Sequence, residues 1–459
     1  MSSVSVTSIA ACFEAEKARY IREWQEFLRF PSVSTCTEHT EDCSRCATWL
    51  ANHLSAMGFT TRLIPTDSHP LVFAERAGKP GFPTVLFYGH YDVQPEDPVS
   101  LWKTPPFEPT LLRGRMFARG AQDNKGQLFA AIKAIEALIR ADALHVTLKF
   151  LIEGDEETGE MPIIKVLHRE QAALAADIVM AADTSAVSSG APTITMGLRG
   201  IIHLTAVLSG PDHDLHSGVH GGRIPNPANA LCRMIASLHH DNGQVAVDGF
   251  YDGVQDPTAE ERALANAQPI DPIWYKTVTG LLPVGGELQY TPVERSGFRP
   301  AIDLNGIHSG YGGAGSKTII AAQAMAKISA RLVPGQSPDF ILKQIAKHLQ
   351  KQVPDGLILT ITEQGTGGAA LRLALDSPAV VTARKVLGEI SPLPTAFLWE
   401  GASVPILSHL PAIAGGDVLL VGFGSEEDNI HAPNESYSVE QFRMGFLYTG
   451  LFLTQLGHP

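Results

Sequence analysis

Residues 150 to 159 read FLIEGDEETG, so that Glu153, Asp155, Glu156 and Glu157 follow directly on a short apolar run, HVTLKFLI. Like charges this close repel, and burying any one of them is costly unless something pairs with it. Such a loop is either simply solvated or wrapped around a cation. Other residues bear on the choice. PTVLFYGH leads into GHYDVQP, where His90 and Asp92 stand two apart and share one face of an extended segment. RGAQDNKG places Asp123 at a helix start, MAAD ends in Asp183, and NIHAPNE offers His431. Singly, each has an ordinary structural use, Asp123 as a helix cap and a lone histidine as a packed side chain. Together they sit on loops that follow apolar strands, and open α/β sheets gather ligands outside the carboxyl ends of their strands. Mixed imidazole and carboxylate donors suit zinc, with manganese or cobalt as alternatives. Five donors with one bridging carboxylate would hold two ions.

The elements that must carry these residues are legible. A first helix is predicted from about Ser8 to Phe30, with Ile9, Phe13, Tyr20, Trp24, Phe27 and Leu28 at helical spacing and Pro31 ending it. After a second helix, SRCATWLANHLSAMGF, apolar strands alternate with helices: PTVLFYGH, NKGQLFAAIKAIEALIRA, HVTLKFLIEG, ADIVMAAD. That order implies an α/β domain with a mostly parallel sheet covered by helices. Near Gly200 the pattern changes to period two, as in GIIHLTAVLSG, which implies a smaller α+β (ferredoxin-like) unit with an antiparallel sheet. From about Leu371 the first style resumes. The expected organisation is a catalytic domain in two parts, 1–197 and 370–459, with a lid and dimerisation domain, 198–369, inserted between them. A Pro-, Gly- and Asp-rich excursion, 241–300, lies inside the insertion.

Composition excludes several classes. With 35 basic and 48 acidic residues, the net charge of −13 argues against a nucleic-acid or anionic-membrane surface. No apolar run has the length of a membrane span. The start, MSSVSVTSIAACFEAEKARY, lacks the basic flank of a secretory signal, and a cytoplasmic location is the expectation. The five cysteines include a CxxC at Cys43 and Cys46, but without a second CxxC or a histidine pair they read as reduced structural thiols. GYGGAGSKT resembles a phosphate loop only superficially, because Ser316 stands where GxxxxGK[ST] requires lysine. An ATP-dependent ligase is therefore excluded.

GHYDVQP, GAQDNKG, EGDEETG, GLRG, DLHSGVHGGRIPNP, GSKT, ISARLVP, WEGASVP and HAPNE occur in the order expected of the aminoacylase/carnosinase-like dinuclear zinc metallopeptidases. The chain resembles that family over nearly its whole length, most closely its cytosolic dipeptidase branch. Other members, acetylornithine deacetylase and succinyl-diaminopimelate desuccinylase, cut N-acyl groups instead. The resemblance implies that His90 and Asp183 hold one metal, Glu157 and His431 the other, and that Asp123 bridges them. It makes Asp92 the partner of the other N–H of His90, and Glu156 the general base toward a water held between the ions. It also implies a cis peptide at Asp123–Asn124. Glu153 and Asp155 are left as loop and turn residues. His216 matches a histidine that reaches the partner subunit's active site in a homodimer and steadies the oxyanion. Arg331 matches an arginine that grips the substrate's free carboxylate, although without the resemblance it reads first as a surface ion pair. Thr318 and Ser403 match hydrogen-bonding positions for the same carboxylate. Two departures stand out: His308, in a second His-Ser-Gly where the family has no catalytic histidine, and EGAS in place of EGGS. The function expected is metal-dependent hydrolysis of dipeptides or short peptides, with N-acyl amino-acid deacylation or desuccinylation as the alternative. A non-catalytic binding protein of this fold would have lost Glu156 or a ligand, and none is missing.

Overall fold

The apolar spacing of the first helix produces one over Val6–Leu28, and Ile9, Phe13, Tyr20, Trp24, Phe27 and Leu28 are its buried residues. A computed structural model describes residues 5–159, 162–187, 190–402 and 404–456. Reciprocal capping between Ser5 and Ser8 satisfies N–H groups that the first turn leaves free. This helix packs on the last one, Val439–Gln455: Phe13 meets Phe446 edge-on at 5.2 Å and Trp24 lies 4.9 Å from Phe442 between ring centroids.

By contacts the chain divides into two compact units. The first comprises Met1–Met196, Leu373–Leu398 and His409–Pro459, the second Gly197–Arg372 and Trp399–Ser408. In the first, Thr60–Ile64, Leu71–Arg76, Thr147–Glu153, Thr84–His90, Ile178–Ala181 and Asp417–Leu420 lie side by side in that order, followed by the strand that starts at Thr193. The centre is parallel. Thr84–His90 pairs with both Thr147–Glu153 and Ile178–Ala181, which in turn pairs with Asp417–Leu420. The flanking pairs are antiparallel. The mostly parallel sheet thus has antiparallel margins, and its central strands are buried almost throughout, as strands covered on both faces must be. The helix Lys125–Arg140 is buried along most of its length because it lies between this sheet and the helices at the two ends of the chain. Cys43 and Cys46 are buried in the helix Thr40–Ala56 and form no disulfide. Burial raises both thiols above their ordinary pKa, which makes them poor nucleophiles and poor metal ligands.

The second unit is built on a four-stranded antiparallel sheet, ordered Ala301–Ser309, Gln323–Leu332, Gly200–Ser209, Ile358–Thr366. The helices Pro227–Ala236 and Pro338–Lys351 pack on it around a core that includes Leu204, Leu231, Ile328 and Ile341. The excursion 241–300 contains three short helices, Ala259–Asn266, Pro272–Thr279 and Pro292–Gly297. Within it, buried Arg299 grips Glu287 through two parallel hydrogen bonds of 2.9 and 3.1 Å. No helix among the described residues is long and apolar enough to cross a membrane.

Candidate active site

Three neighbouring parallel strands end at one edge. His90 closes its strand in register with Glu153, which closes the next, while on the other side Tyr88 stands level with Ala181, the end of the third. The turns that follow start together, so His90, Glu156, Glu157 and Asp183 arrive in one place.

Asp92 locks two of these turns. Its carboxylate is fully buried and lies 3.3 Å from His90 Nδ1, whose proton also has the Asp92 carbonyl at 3.1 Å. The same carboxylate accepts the main-chain N–H of Glu156 at 3.3 Å and of Glu157 at 3.0 Å, and the Ser34 hydroxyl at 2.7 Å. With Nδ1 committed as the donor, Nε2 of His90 is the nitrogen left to take up a proton or a cation. That nitrogen is buried and makes no hydrogen bond, although Asp123 Oδ1 is 3.2 Å and Asp183 Oδ2 3.7 Å away.

Asp123 is held by its own loop. The Asp123–Asn124 peptide is cis, and Asn124 donates to the Ala182 carbonyl at 2.8 Å and to Asp183 Oδ1 at 2.9 Å. Glu435, fully buried, accepts the main-chain N–H groups of Gly120, Gln122 and Asp123 at 2.8, 3.0 and 3.1 Å. Arg119 Nη1 donates to the same carboxylate at 2.9 Å, which pairs its charge. On the other side of Asp123, His431 Nε2 lies 2.9 Å from its Oδ2 and 3.2 Å from Glu157 Oε2. Gln94 fixes Glu157 by donating to Oε2 at 2.8 Å and to the carbonyl at 3.2 Å.

Potential donor atoms therefore fall into overlapping groups, each within 4.8 Å: His90, Asp123 and Asp183; Asp123, Glu157 and His431; His90, Glu156 and Glu157. Asp123 belongs to the first two, with Oδ1 toward His90 and Oδ2 toward His431. The electrostatics agree with a site made for positive charge. Burial would push the His90 imidazole down, but the carboxylates of Asp123, Asp183 and Asp92 outweigh it and hold it well above its ordinary value. Hydrogen bonds to Asp123 and Glu157 push His431 up to about 10. Glu156 is raised well above the usual carboxylate range, first by burial and then by Asp183, Glu157 and Asp123. An orphaned, inward-facing imidazole nitrogen among crowded carboxylates fits divalent metal ions, which would replace the protons that the cluster otherwise recruits.

Glu153 and Asp155 are not solvated loop residues. Glu153 ends its strand and accepts the Tyr88 hydroxyl at 2.5 Å, and burial pushes its pKa up to about 8. Asp155 is buried and accepts from Ser68 Oγ at 2.7 Å and the His69 main chain at 3.0 Å, with His69 Nδ1 at 2.6 Å. Both anchor the loop that carries Glu156 and Glu157.

In the second unit, His216 is exposed on the two-residue strand Leu215–His216, paired with Ile319–Ile320. The Ser217 N–H donates to the Thr318 carbonyl at 3.0 Å, so His216 and exposed Thr318 are neighbours across that ladder. Arg331 lies half-buried near the end of Gln323–Leu332, and His308 is exposed on the edge strand Ala301–Ser309. Ser403 lies outside the described residues. Glu435, Arg119, Gln94 and Asn124 were given no part by sequence reasoning. The available signal is their place inside GHYDVQP, RGAQDNKG and HAPNE, next to the metal-ligand candidates.

Buried His90, half-exposed His431 and crowded carboxylates gathered at the ends of parallel strands fit a divalent-metal hydrolase centre. The particular family follows from comparison with known proteins. Residues 86–455 match the model of peptidase family M20/M25/M40, and the chain belongs to that family of metallopeptidases. It is 28% identical over 393 residues to the Beta-Ala-His dipeptidase of Homo sapiens, covering 84% of this chain and 77% of that protein. It is 26% identical over 464 residues to the Cys-Gly metallodipeptidase of Schizosaccharomyces pombe, covering 96% of each. Among solved structures it resembles an M20 family metallo-carboxypeptidase from Sulfolobus solfataricus with a TM-score of 0.85 and 31% identity, over 95% of this chain and 98% of that one.

Glu435 offers a direct check on this geometry. Glu435→Ala strands the Arg119 charge and frees the Asp123 loop, while removing no donor of the cluster. We expect metal affinity to fall by about 10–100-fold, as for other groups that orient ligands, with the fold retained by circular dichroism. Unchanged affinity in a competition titration against a chelator would remove Glu435 from any role in arranging the site.

Proposed function

We propose that this chain hydrolyses dipeptides or short peptides that end in a free carboxylate, with two divalent metal ions and Glu156 as general base. The observation that carries this is the position of Asp123, shared between a donor group with His90 and Asp183 and another with Glu157 and His431. Those residues would hold the ions, which when bound lower the pKa of a water and polarise the scissile carbonyl. The donor set favours zinc, with manganese or cobalt also suitable. Glu156 is kept beside Glu157 by the N–H bonds of both residues to Asp92. From there it takes the proton of the attacking water and returns it to the departing amine. Asp92 holds the His90 imidazole in one tautomer throughout.

The second unit serves as a lid and dimerisation domain. His216, exposed beside Thr318, steadies the developing oxyanion in the partner subunit's site. Arg331, Thr318 and Ser403 bind the substrate carboxylate, for which a guanidinium fork is well shaped. The names of the relatives, Beta-Ala-His dipeptidase and Cys-Gly metallodipeptidase, support a dipeptide over an N-acyl amino acid.

Glu156→Gln keeps the shape and removes the base. It should retain metal while turnover drops by about 10²–10⁴-fold. Near-normal turnover would mean another group is the base, and joint loss of metal and activity would make Glu156 a ligand.

The shared site is tested by complementation. His216→Ala and Glu156→Gln homodimers should both be nearly inactive. Co-expressed with different tags and purified as the heterodimer, they place both defects in one site and neither in the other, so up to half of wild-type activity should return. A verified heterodimer without recovery would put His216 in its own chain's site.

A further inference from the structure

Arg199, in the GLRG motif to which no role has been given, stands at the foot of the strand Gly200–Ser209. Its main-chain N–H donates to the Ala402 carbonyl at 3.1 Å, and its Nε donates to the Gly401 carbonyl at 3.0 Å. Nη1 reaches the Arg299 carbonyl at 3.5 Å. One residue thus holds the WEGAS segment by both backbone and side chain, immediately before Ser403. Gly401 is matched to that grip: a Cβ there would lie 3.0 Å from Arg199 Nη2 and 3.4 Å from the Ser296 carbonyl.

Arg199 is also a neighbour of Arg331. In the ladder Arg331 stands opposite Ile201, two residues beyond Arg199. Arg199 immediately precedes that strand, and a position diagonal to Arg331 lies within reach of two long side chains. The proximity registers in Arg199 itself, whose pKa is lowered to about 10, first by burial and then by the Arg331 charge, against Asp303 and Glu400. A substrate carboxylate held by Arg331 would therefore lie within the field of the Arg199 charge as well.

We propose that Arg199 is a positioning residue for the substrate carboxylate: it fixes the Gly401–Ala402 backbone and adds its charge to that of Arg331. The inference rests on the reading of Arg331 as the carboxylate-binding group and adds to it a residue that acts through the segment around Ser403.

The test compares Arg199→Gln, Arg199→Lys and Arg331→Ala on one free dipeptide and on its C-terminal amide. For the free dipeptide, Arg199→Gln should raise KM by about tenfold with little change in kcat, the size expected for loss of a charge-assisted contact. kcat/KM for the amide should stay near wild type. Arg199→Lys keeps the charge and should recover part of the lost affinity. Equal losses on both substrates, or no loss on either, would overturn the assignment and leave Arg199 as a packing residue. Should Arg199→Gln not fold, Arg199→Lys carries the same comparison, since a KM effect confined to the free dipeptide supports the proposal and any other pattern ends it. If Arg331→Ala discriminates between the substrates and the Arg199 variants do not, only the Arg199 inference falls. If Arg331→Ala does not discriminate, the carboxylate reading falls and this inference with it.

Discussion

The structure turns on the electrostatic cost of bringing Asp123, Asp183, Glu156 and Glu157 to the buried end of one sheet. Carboxylates removed from water and placed beside one another cannot all remain charged without compensation. Elsewhere in the same unit the chain supplies its own cation. Glu23, Glu136 and His53 surround Lys133 Nζ at 2.5, 2.8 and 2.6 Å, which ties together the three helices Val6–Leu28, Thr40–Ala56 and Lys125–Arg140. His53 is lowered to about 4, mainly by burial and then by Lys133, and so accepts from the lysine as a neutral ring. At the strand ends no such lysine enters the cluster among the described residues. The cluster instead raises the two imidazoles, His90 and His431, and raises Glu156 and Glu157. Protons stand in for the charge that divalent ions would bring.

Most of the surrounding architecture can be understood as support for that cluster. The parallel register delivers the residues, and Asp92 joins His90 to the Glu156–Glu157 turn. Glu435 and Arg119 form a buried pair whose carboxylate spends its acceptor capacity on the Asp123 loop. Breaking a buried pair of this kind typically costs about 3–5 kcal/mol because the remaining charge is left unpaired. Stability and site geometry are therefore coupled through the same atoms.

Periodicity made the first helix and the strand ends legible in the sequence: Ile9, Phe13, Tyr20, Trp24, Phe27 and Leu28 are the buried residues of that helix, and the apolar runs before His90, Glu153 and Asp183 are strands. Residue type and loop position then singled out the members of the cluster. The groups that orient them were harder to read. Glu435 reaches residues more than 300 positions away, and Asp155 is tied to His69 across 86. Long-range hydrogen bonds leave no local period, so Glu153 and Asp155 read only as loop and turn residues when they are buried anchors. The same holds for Trp399–Ser408, which belongs by contacts with Gly197–Arg372 although nothing in WEGASVP marks it. Arg199 is a further case, since its grip on Gly401 spans 202 positions.

Metal stoichiometry tests the central claim most directly, because a single carboxylate is held to serve two ions. Chelator-stripped protein would be titrated with zinc, and bound metal counted by native mass spectrometry, for wild type, His90→Ala and Asp123→Ala. The expected result is two ions per chain in the wild type, one weakened site in His90→Ala, and both weakened in Asp123→Ala. One ion per chain at saturation, or an Asp123→Ala variant that keeps either ion at full affinity, would contradict the account.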